Sequence, residues 1–277
     1  MNQLFESVQN NSVRIPAWLD DLIFNTLAAV YEPQNKDLVV LDWSKDEIQK
    51  YLGTYFPRSF AESLCIFSKY FSEKMDEYKQ INELSVLDFG CGTGGEIVGF
   101  ILAVSKILPH IKNINIRAYD GNIHTLKDLE CILLEISHKT NIEINNNIVP
   151  IEIEDSSDME ILDCIIDKKF DFIISFKAIC EFVTKQQFDS VNPYKHFLDI
   201  FLPKLSDIGV ICVADISSLN DTSKEWLPSM MDAALISCGK ADIVDRNSGF
   251  NECYYISHSR KMRDVSKIFW RILKPRG

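Results

Sequence analysis

A doubly wound α/β fold built on a mostly parallel sheet is what the 277-residue chain predicts, and three observations carry that reading. Short apolar runs alternate with helix-period segments from Leu84 onward, a glycine-rich turn joins the first run to a helix, and two strand-like segments lie near the C-terminus. Strands that are apolar on both faces need cover on both sides, which intervening helices supply.

The elements follow in order. Residues 1–80 read as a helical N-terminal arm. Pro16 sits at a helix start before Trp18, Leu22, Ile23, Leu27 and Val30. A turn-rich connector spans Glu32–Asp37, and a second helix follows Pro57 with Phe60, Leu64, Phe67, Phe71, Met75 and Tyr78 on one stripe. Residues 81–277 read as the α/β domain. Its strands are expected at Ser85–Phe89, Asn115–Tyr119, Ile148–Ile153, Phe170–Ser175 and Val210–Ala214, then near Glu252–His258 and Lys267–Leu273, making seven. Helices are expected at Glu96–Leu108, Ile123–Ser137, Met159–Ile166, Pro193–Leu205 and Glu225–Ile236.

Composition excludes several classes. With 46% hydrophobic and 25% charged residues the chain is neither disordered nor fibrous. A net charge of −11 argues against a surface that grips nucleic acid as a whole. The strip Ile256–Gly277 is the exception: seven basic residues against Asp264 give it +6, an electrostatic footprint that could meet RNA or pair with the protein's own acids. Eight cysteines are scattered singly through apolar stretches, without a C-x-x-C pair or a Cys/His cluster, so reduced, buried thiols and no metal site are expected. Met1–Asn11 lacks an apolar signal core, and no apolar run nears the roughly 18 residues of a membrane span. The expectation is a cytoplasmic protein without a membrane partner.

The chemistry concentrates at Val86-Leu87-Asp88-Phe89-Gly90-Cys91-Gly92-Thr93-Gly94-Gly95-Glu96, where a strand leaves through glycines into a helix. Glycines there let a ligand approach the backbone, and the helix start offers unpaired N–H groups. Gly90, Gly92 and Gly95 also satisfy the dinucleotide spacing G-x-G-x-x-G, so an NAD-dependent oxidoreductase is one alternative. Asp88 tilts the reading. An acid at the strand tip repels a pyrophosphate but binds a cationic amino group, such as that of S-adenosylmethionine.

These residues resemble the first motif of the class I S-adenosylmethionine-dependent methyltransferases, apolar-apolar-D-x-G-x-G. Further landmarks fall in that family's order from Ser85 to the C-terminus. The resemblance implies a Rossmann-like sheet with an antiparallel C-terminal hairpin, with Asp88, Gly90, Cys91, Gly92 and Gly94 around the cofactor. It also implies Asp120 and Gly121 at the ribose, Asp155 (or Glu154) with Ser156 near the adenine, and Ser175 and Phe176 where cofactor meets acceptor. Lys177 follows them, while Asp171 at that strand's start reads as structural. The expected activity is methyl transfer to a small-molecule acceptor.

Transfer from a sulfonium needs alignment and dryness more than a base. If a base is needed, Glu181, His196, Asp215 and His258 are candidates, with Tyr194, Tyr254 and Tyr255 as walls. Ser175-Phe176-Lys177-Ala178 lacks the Pro-Pro-aromatic signature of base N-methylation, and Asn192-Pro193-Tyr194 instead reads as a helix start. RNA, particularly ribosomal RNA, is the alternative acceptor. Tyr51–Glu62 and Cys253-Tyr254-Tyr255 are similar to methyltransferase-like proteins of small ribosomal subunit assembly, although the cysteine cluster of that group is missing here. A non-catalytic S-adenosylmethionine-binding assembly module is a further alternative.

Overall fold

A computed structural model describes residues 10–33, 44–154, 156–184, 192–220 and 223–276. Its elements are β1 (Ser12–Arg14), α1 (Ala17–Asp21), a π-helical turn at Leu22–Thr26, α2 (Lys45–Tyr78), β2 (Glu83–Phe89), α3 (Gly95–Ile107), β3 (Asn113–Asp120) and α4 (Ile123–Lys139). They continue with β4 (Glu143–Pro150), α5 (Ser156–Ile165), β5 (Phe170–Phe176), α6 (Ile179–Thr184), α7 (Pro193–Phe201), a 3-10 turn at Leu202–Lys204, β6 (Leu205–Ile216) and α8 (Leu227–Cys238). β7 (Ala241–Arg246), β8 (Glu252–His258) and β9 (Lys261–Pro275) complete the chain.

The strands form one sheet in the order β1-β8-β9-β6-β5-β2-β3-β4, with β7 also paired to β9. β4, β3, β2, β5 and β6 run parallel, and β9 lies antiparallel against β6. From β2 the chain builds outward through β3 and β4, then returns to the other side of β2 for β5 and β6. That reversal opens a crevice beyond the carboxyl ends of β2 and β5, where ligands bind in such sheets. The Rossmann-like doubly wound fold is therefore present.

Side chains alternate between two cores along each strand. Leu84 and Val86 of β2, Phe172 and Ile174 of β5 and Cys212 and Ala214 of β6 join the core under α2, α3 and α4. Leu87, Phe89, Ile173, Ile211 and Val213 join the other, under α5, α7 and α8. The period of two thus places Asp88 on the α2/α3 face and Asp215 on the α7 face.

Three expectations are corrected. Among the described residues the sheet has nine strands rather than seven. β9 runs 15 residues, long enough to pair with β8 along one part and β7 along another, and β1 adds a parallel edge to β8. The fourth strand is Glu143–Pro150, not Ile148–Ile153, because it pairs with β3 in register from Asn113 with Glu143 to Asp120 with Pro150. As an edge strand it accommodates the polar run Asn145–Asn147, which obscures it in sequence.

Pro57 does not open a helix. It lies inside the 34-residue α2, which starts at a Ser44–Glu47 capping box. The carbonyl four residues earlier belongs to Gly53, and the ring is accommodated there without ending the helix. Leu52, Phe56, Phe60, Leu64, Phe67 and Phe71 of α2 share a core with α3 and the sheet. Phe67, Phe71, Phe100 and Phe172 interlock edge to face, with centroids 4.9–5.9 Å apart.

α2 is held close on both sides by glycine. A Cβ on Gly95 or Gly99 of α3 would lie 2.5 Å from the carbonyl oxygen of Phe56 or Phe60, so the helices meet nearly backbone to backbone. Gly53 stands against the residue 28–33 segment, where Val30 N–H donates to the Gln49 carbonyl at 2.9 Å. A Cβ on Gly53 would lie 2.4 Å from the Val30 carbonyl oxygen. Gly53→Ala is expected to lower stability by about 1–3 kcal/mol, the usual cost of overpacking. A denaturation midpoint equal to wild type would contradict this placement.

Candidate functional site

The glycine turn bridges β2 and α3. Gly90 and Cys91 both donate their N–H groups to the Tyr119 carbonyl, at 2.8 and 3.1 Å, tying the turn to the end of β3. Gly94 caps α3 in the left-handed region, at φ +73°, a conformation that most side chains resist. Gly92, at φ +47°, lies under the Tyr51 ring of α2, and a Cβ there would stand 2.7 Å from the Tyr51 hydroxyl. The first turn of α3 opens at this point with its N–H groups facing outward from the sheet.

Asp120 ends β3 and holds the turn in place. One carboxylate oxygen accepts from Gly92 N–H at 2.8 Å, and the other accepts from Asn122 N–H at 2.9 Å. The second oxygen also accepts from the Thr125 hydroxyl at 3.4 Å, so the first is the one that keeps a lone pair for a ligand hydroxyl. Burial raises its pKa while those backbone bonds pull it down. Gly121 forms the bend between them, and Asn122 caps α4 through His124 and Thr125 N–H.

The electrostatics of the turn are acidic. Asp88 is fully buried, and neither carboxylate oxygen has a hydrogen-bond partner among the described residues. Burial, reinforced by Glu96 and Asp120, drives its pKa far above the carboxylate range. Glu96, in the first turn of α3, is 3% exposed, and its pKa is pushed up to about 8 by burial, against the pull of its own N–H and of Lys177. The Tyr51 phenol is likewise pushed up by burial and by the charges of Glu181, Asp120 and Glu96. Unpaired buried carboxylates are costly, and a positive ligand group beside them relieves that cost.

Beside the turn lies a cavity of about 350 Å³. Tyr51, Tyr55, Phe56 and Phe176 give it aromatic walls, and Cys91, Thr93, Gly95 and Glu96 border it from the turn. Lys177 enters from the end of β5 with φ +60°, an uncommon backbone state for a residue with a side chain. Its Nζ meets the fully buried Glu62 of α2 at 2.8 Å, and Glu62 also accepts from the Ser266 hydroxyl of β9. Arg58 binds Asp264 in a fork, at 2.8 and 3.0 Å. Those hydrogen bonds hold the Asp264 carboxyl below its usual range, overcoming the upward push of burial.

The structure gathers Cys91, Phe176, Lys177 and Glu181 at this cavity, with Asp88, Gly90, Gly92, Gly94 and Asp120 forming the turn beside it. Ser175 is buried, and its hydroxyl has no partner among the described residues. Asp155 lies outside the described residues, and Ser156 is described only as the start of α5. Asp215, His196 and His258 do not line the cavity. Asp215 faces the other core, where it accepts from Cys180 N–H and the Tyr194 hydroxyl, and burial brings its pKa to about 6. His196 is carried on α7. His258 is stacked on Phe24 at 5.0 Å.

The expected tyrosine walls also lie elsewhere. Tyr194 binds Asp215, Tyr254 binds Glu252, and Tyr255 carries the Arg263 guanidinium on its ring. Asp171 is structural as read, accepting from Ser85 and Ser206. Asn192 caps the helix opened by Pro193. Cys131 and Cys164 are exposed, contrary to the expectation of buried thiols throughout. Among the described residues, no cluster of His, Cys, Asp or Glu is placed to hold a metal, and no helix is long and apolar enough to cross a membrane.

Sequence reasoning missed Tyr51, Tyr55, Arg58, Glu62 and Glu96 as site residues. A signal for the first four existed. At i, i+4, i+7 and i+11 they form one helical stripe of polar and aromatic residues, beside the apolar stripe that marks the core face.

No family model matches the chain, and no curated protein matches it. Among solved structures, magnesium protoporphyrin IX methyltransferase from Synechocystis with bound S-adenosylmethionine is similar over 96% of this chain and 98% of its own, with 9% identity and a TM-score of 0.48. A candidate RNA methyltransferase from Pyrococcus horikoshii matches over 78% and 81%, with 14% identity and a TM-score of 0.45. A candidate methyltransferase from Bacillus halodurans matches over 74% and 96%, with 13% identity and a TM-score of 0.43. Likeness at this level adds no argument about activity, which rests on the geometry of the site itself.

Glu96 generates a test in the protein without ligand. Its pKa rises from 4.5 to about 8 on folding, so its contribution to stability is full below about pH 4.5 and is lost as pH rises through about 8. Glu96→Gln is expected to remove that loss, making the variant more stable than wild type at pH 9 by on the order of 1–3 kcal/mol, with the gap shrinking toward pH 5. Identical pH profiles in chemical denaturation would contradict the assignment.

Proposed function

We propose that the chain binds S-adenosylmethionine at the glycine turn and serves as a methyltransferase toward a small-molecule acceptor in the adjoining cavity. The observation that carries this reading is Asp88: two buried carboxylate oxygens without a partner, at the tip of β2, with Glu96 and Asp120 nearby. Such a site favours a ligand bearing a cationic amino group and disfavours a pyrophosphate, so the dinucleotide alternative fails on charge.

The residues present suit that cofactor. Asp88 would receive the amino group, and the Asp120 oxygen that bonds Gly92 would accept from a ribose hydroxyl. The bare backbone at Gly92 lets Tyr51 close over the turn, and Ser175 and Phe176 would border the reacting end, with the adenine pocket assigned to Asp155 and Ser156. When bound, the cofactor supplies a methyl carbon already activated by its sulfonium. The chain's own task is then to align the acceptor and exclude water, which the aromatic roof of Tyr51, Tyr55 and Phe56 is built to do. Of the candidate bases, Glu181 is the one that lines the cavity, and it would take a proton where the acceptor has one to lose.

A small acceptor is favoured over RNA because the cavity beside the turn is walled and holds about 350 Å³, and because four cations of the basic strip are engaged by the protein's own groups. Arg271 binds Asp232, Arg276 binds Asp242, Arg260 donates to the Phe24 carbonyl, and Arg263 lies on Tyr255. A non-catalytic binding module would have no need of the walled cavity beside the turn.

Titration calorimetry with S-adenosylmethionine, S-adenosylhomocysteine and NAD tests the proposal. The first two are expected to bind and NAD is not. Asp120→Ala should weaken binding by about 1.5–3 kcal/mol, the usual worth of hydrogen bonds to a charged group. Binding of NAD alone, or unchanged affinity in a folded Asp120→Ala protein, would overturn it.

A further inference from the structure

Charges of both signs border the cavity. Asp120, Glu96 and Glu181 act together on the Tyr51 phenol, at the end bordered by the glycine turn. Three cations are tied to β9 or lie on it, and Lys177 also pulls on Glu96. Arg58 reaches β9 through Asp264, Lys177 is joined to it through Glu62 and Ser266, and Lys267 is part of the strand. All three line the cavity.

Their pairing fixes them without exhausting them. Arg58 gives Asp264 its Nε and one Nη donor and also bonds Tyr31, fewer contacts than the five N–H donors a guanidinium carries. Lys177 donates to Glu62, and an ammonium has three donors. Glu62 is fully buried, so this pair is a costly device for stability alone, and its geometric result is a lysine held at the cavity wall on a left-handed backbone. Lys267 is exposed at the rim and has no ion pair among the described residues.

We propose that the β9 end of the cavity is an anion subsite, in which spare donors of Arg58, Lys177 and Lys267 bind a carboxylate or phosphate group of the acceptor. As a statement about the acceptor it rests on the methyltransferase reading; as a statement about anion binding it stands by itself. The aromatic walls place a flat, apolar body between that anion and the glycine turn, so the substrate class is a small aromatic or otherwise planar acid. Pre-paired cations are suited to this work because they are already oriented when the anion arrives.

The test uses the full chain with benzoate, phenyl phosphate and neutral benzamide as probes, titrated with and without saturating S-adenosylhomocysteine and read by calorimetry or ligand-observed NMR. Saturable binding of an anion, at least tenfold tighter than benzamide, is expected. Preference for benzoate would assign a carboxylate, and preference for phenyl phosphate a phosphate. Lys267→Gln, a rim change that leaves both buried pairs intact, should weaken anion binding about fivefold or more while S-adenosylhomocysteine affinity is retained. Equal affinities for benzoate, phenyl phosphate and benzamide would overturn the subsite, as would anion binding indifferent to Lys267→Gln and to Arg58→Lys. Anion binding that responds to both variants in a protein that fails to bind S-adenosylhomocysteine would uphold the subsite and overturn the methyltransferase reading instead.

Discussion

The closeness of α2 and α3 is the constraint on which the site depends. Because Gly95 and Gly99 carry no side chains, the carbonyls of Phe56 and Phe60 come to rest against α3, and the Ser63 hydroxyl bonds the Glu96 carbonyl at 2.6 Å. That contact fixes how far α2 stands above the glycine turn. Tyr51, Tyr55, Arg58 and Glu62 then fall over the crevice between β2 and β5, and the aromatic cluster beneath them keeps the helix from sliding. A bulkier residue at either glycine would lift the roof and open the cavity to water.

The same contact explains why acids can be buried here. Asp88 and Glu96 lie beneath α2, cut off from solvent, and burial makes their charged forms costly. A preorganised site of this kind spends folding stability to gain selectivity, since only a ligand with positive charge recovers the loss. The left-handed Lys177 is a second local cost at the same place, stabilised by Glu62 and by its N–H bond to the Ala214 carbonyl at 2.7 Å.

Much of this was legible in the sequence, for identifiable reasons. β2, β3, β5 and β6 are apolar enough to be recognised without tertiary information, and the glycine turn advertises itself because few sequences need so many glycines between a strand and a helix. Asp88 and Asp120 stand out in the sequence because each lies at the carboxyl end of such a strand. What escaped was set by partners distant in sequence. β4 is polar because it lies at an edge, β7 exists because β9 is long enough to reach it, and Pro57 lies inside a helix whose start is set by the Ser44–Glu47 capping box. Asp215 and His258 looked like site residues by type, but the period of two and a stacked phenylalanine take them elsewhere. The roof residues sit one helical stripe away from an apolar face that drew all the attention.

The account stands or falls on what Asp88 is for, and the affinities of S-adenosylhomocysteine and 5′-methylthioadenosine in wild type and Asp88→Asn ask this directly. The two ligands share the nucleoside but only the first carries the amino acid. In wild type the first should bind more tightly by tenfold or more, and Asp88→Asn should erase most of that difference while leaving 5′-methylthioadenosine affinity unchanged. An affinity ratio that is the same in both proteins would mean that the orphaned carboxylate receives no ammonium group, and the reading of the site built upon it would be wrong.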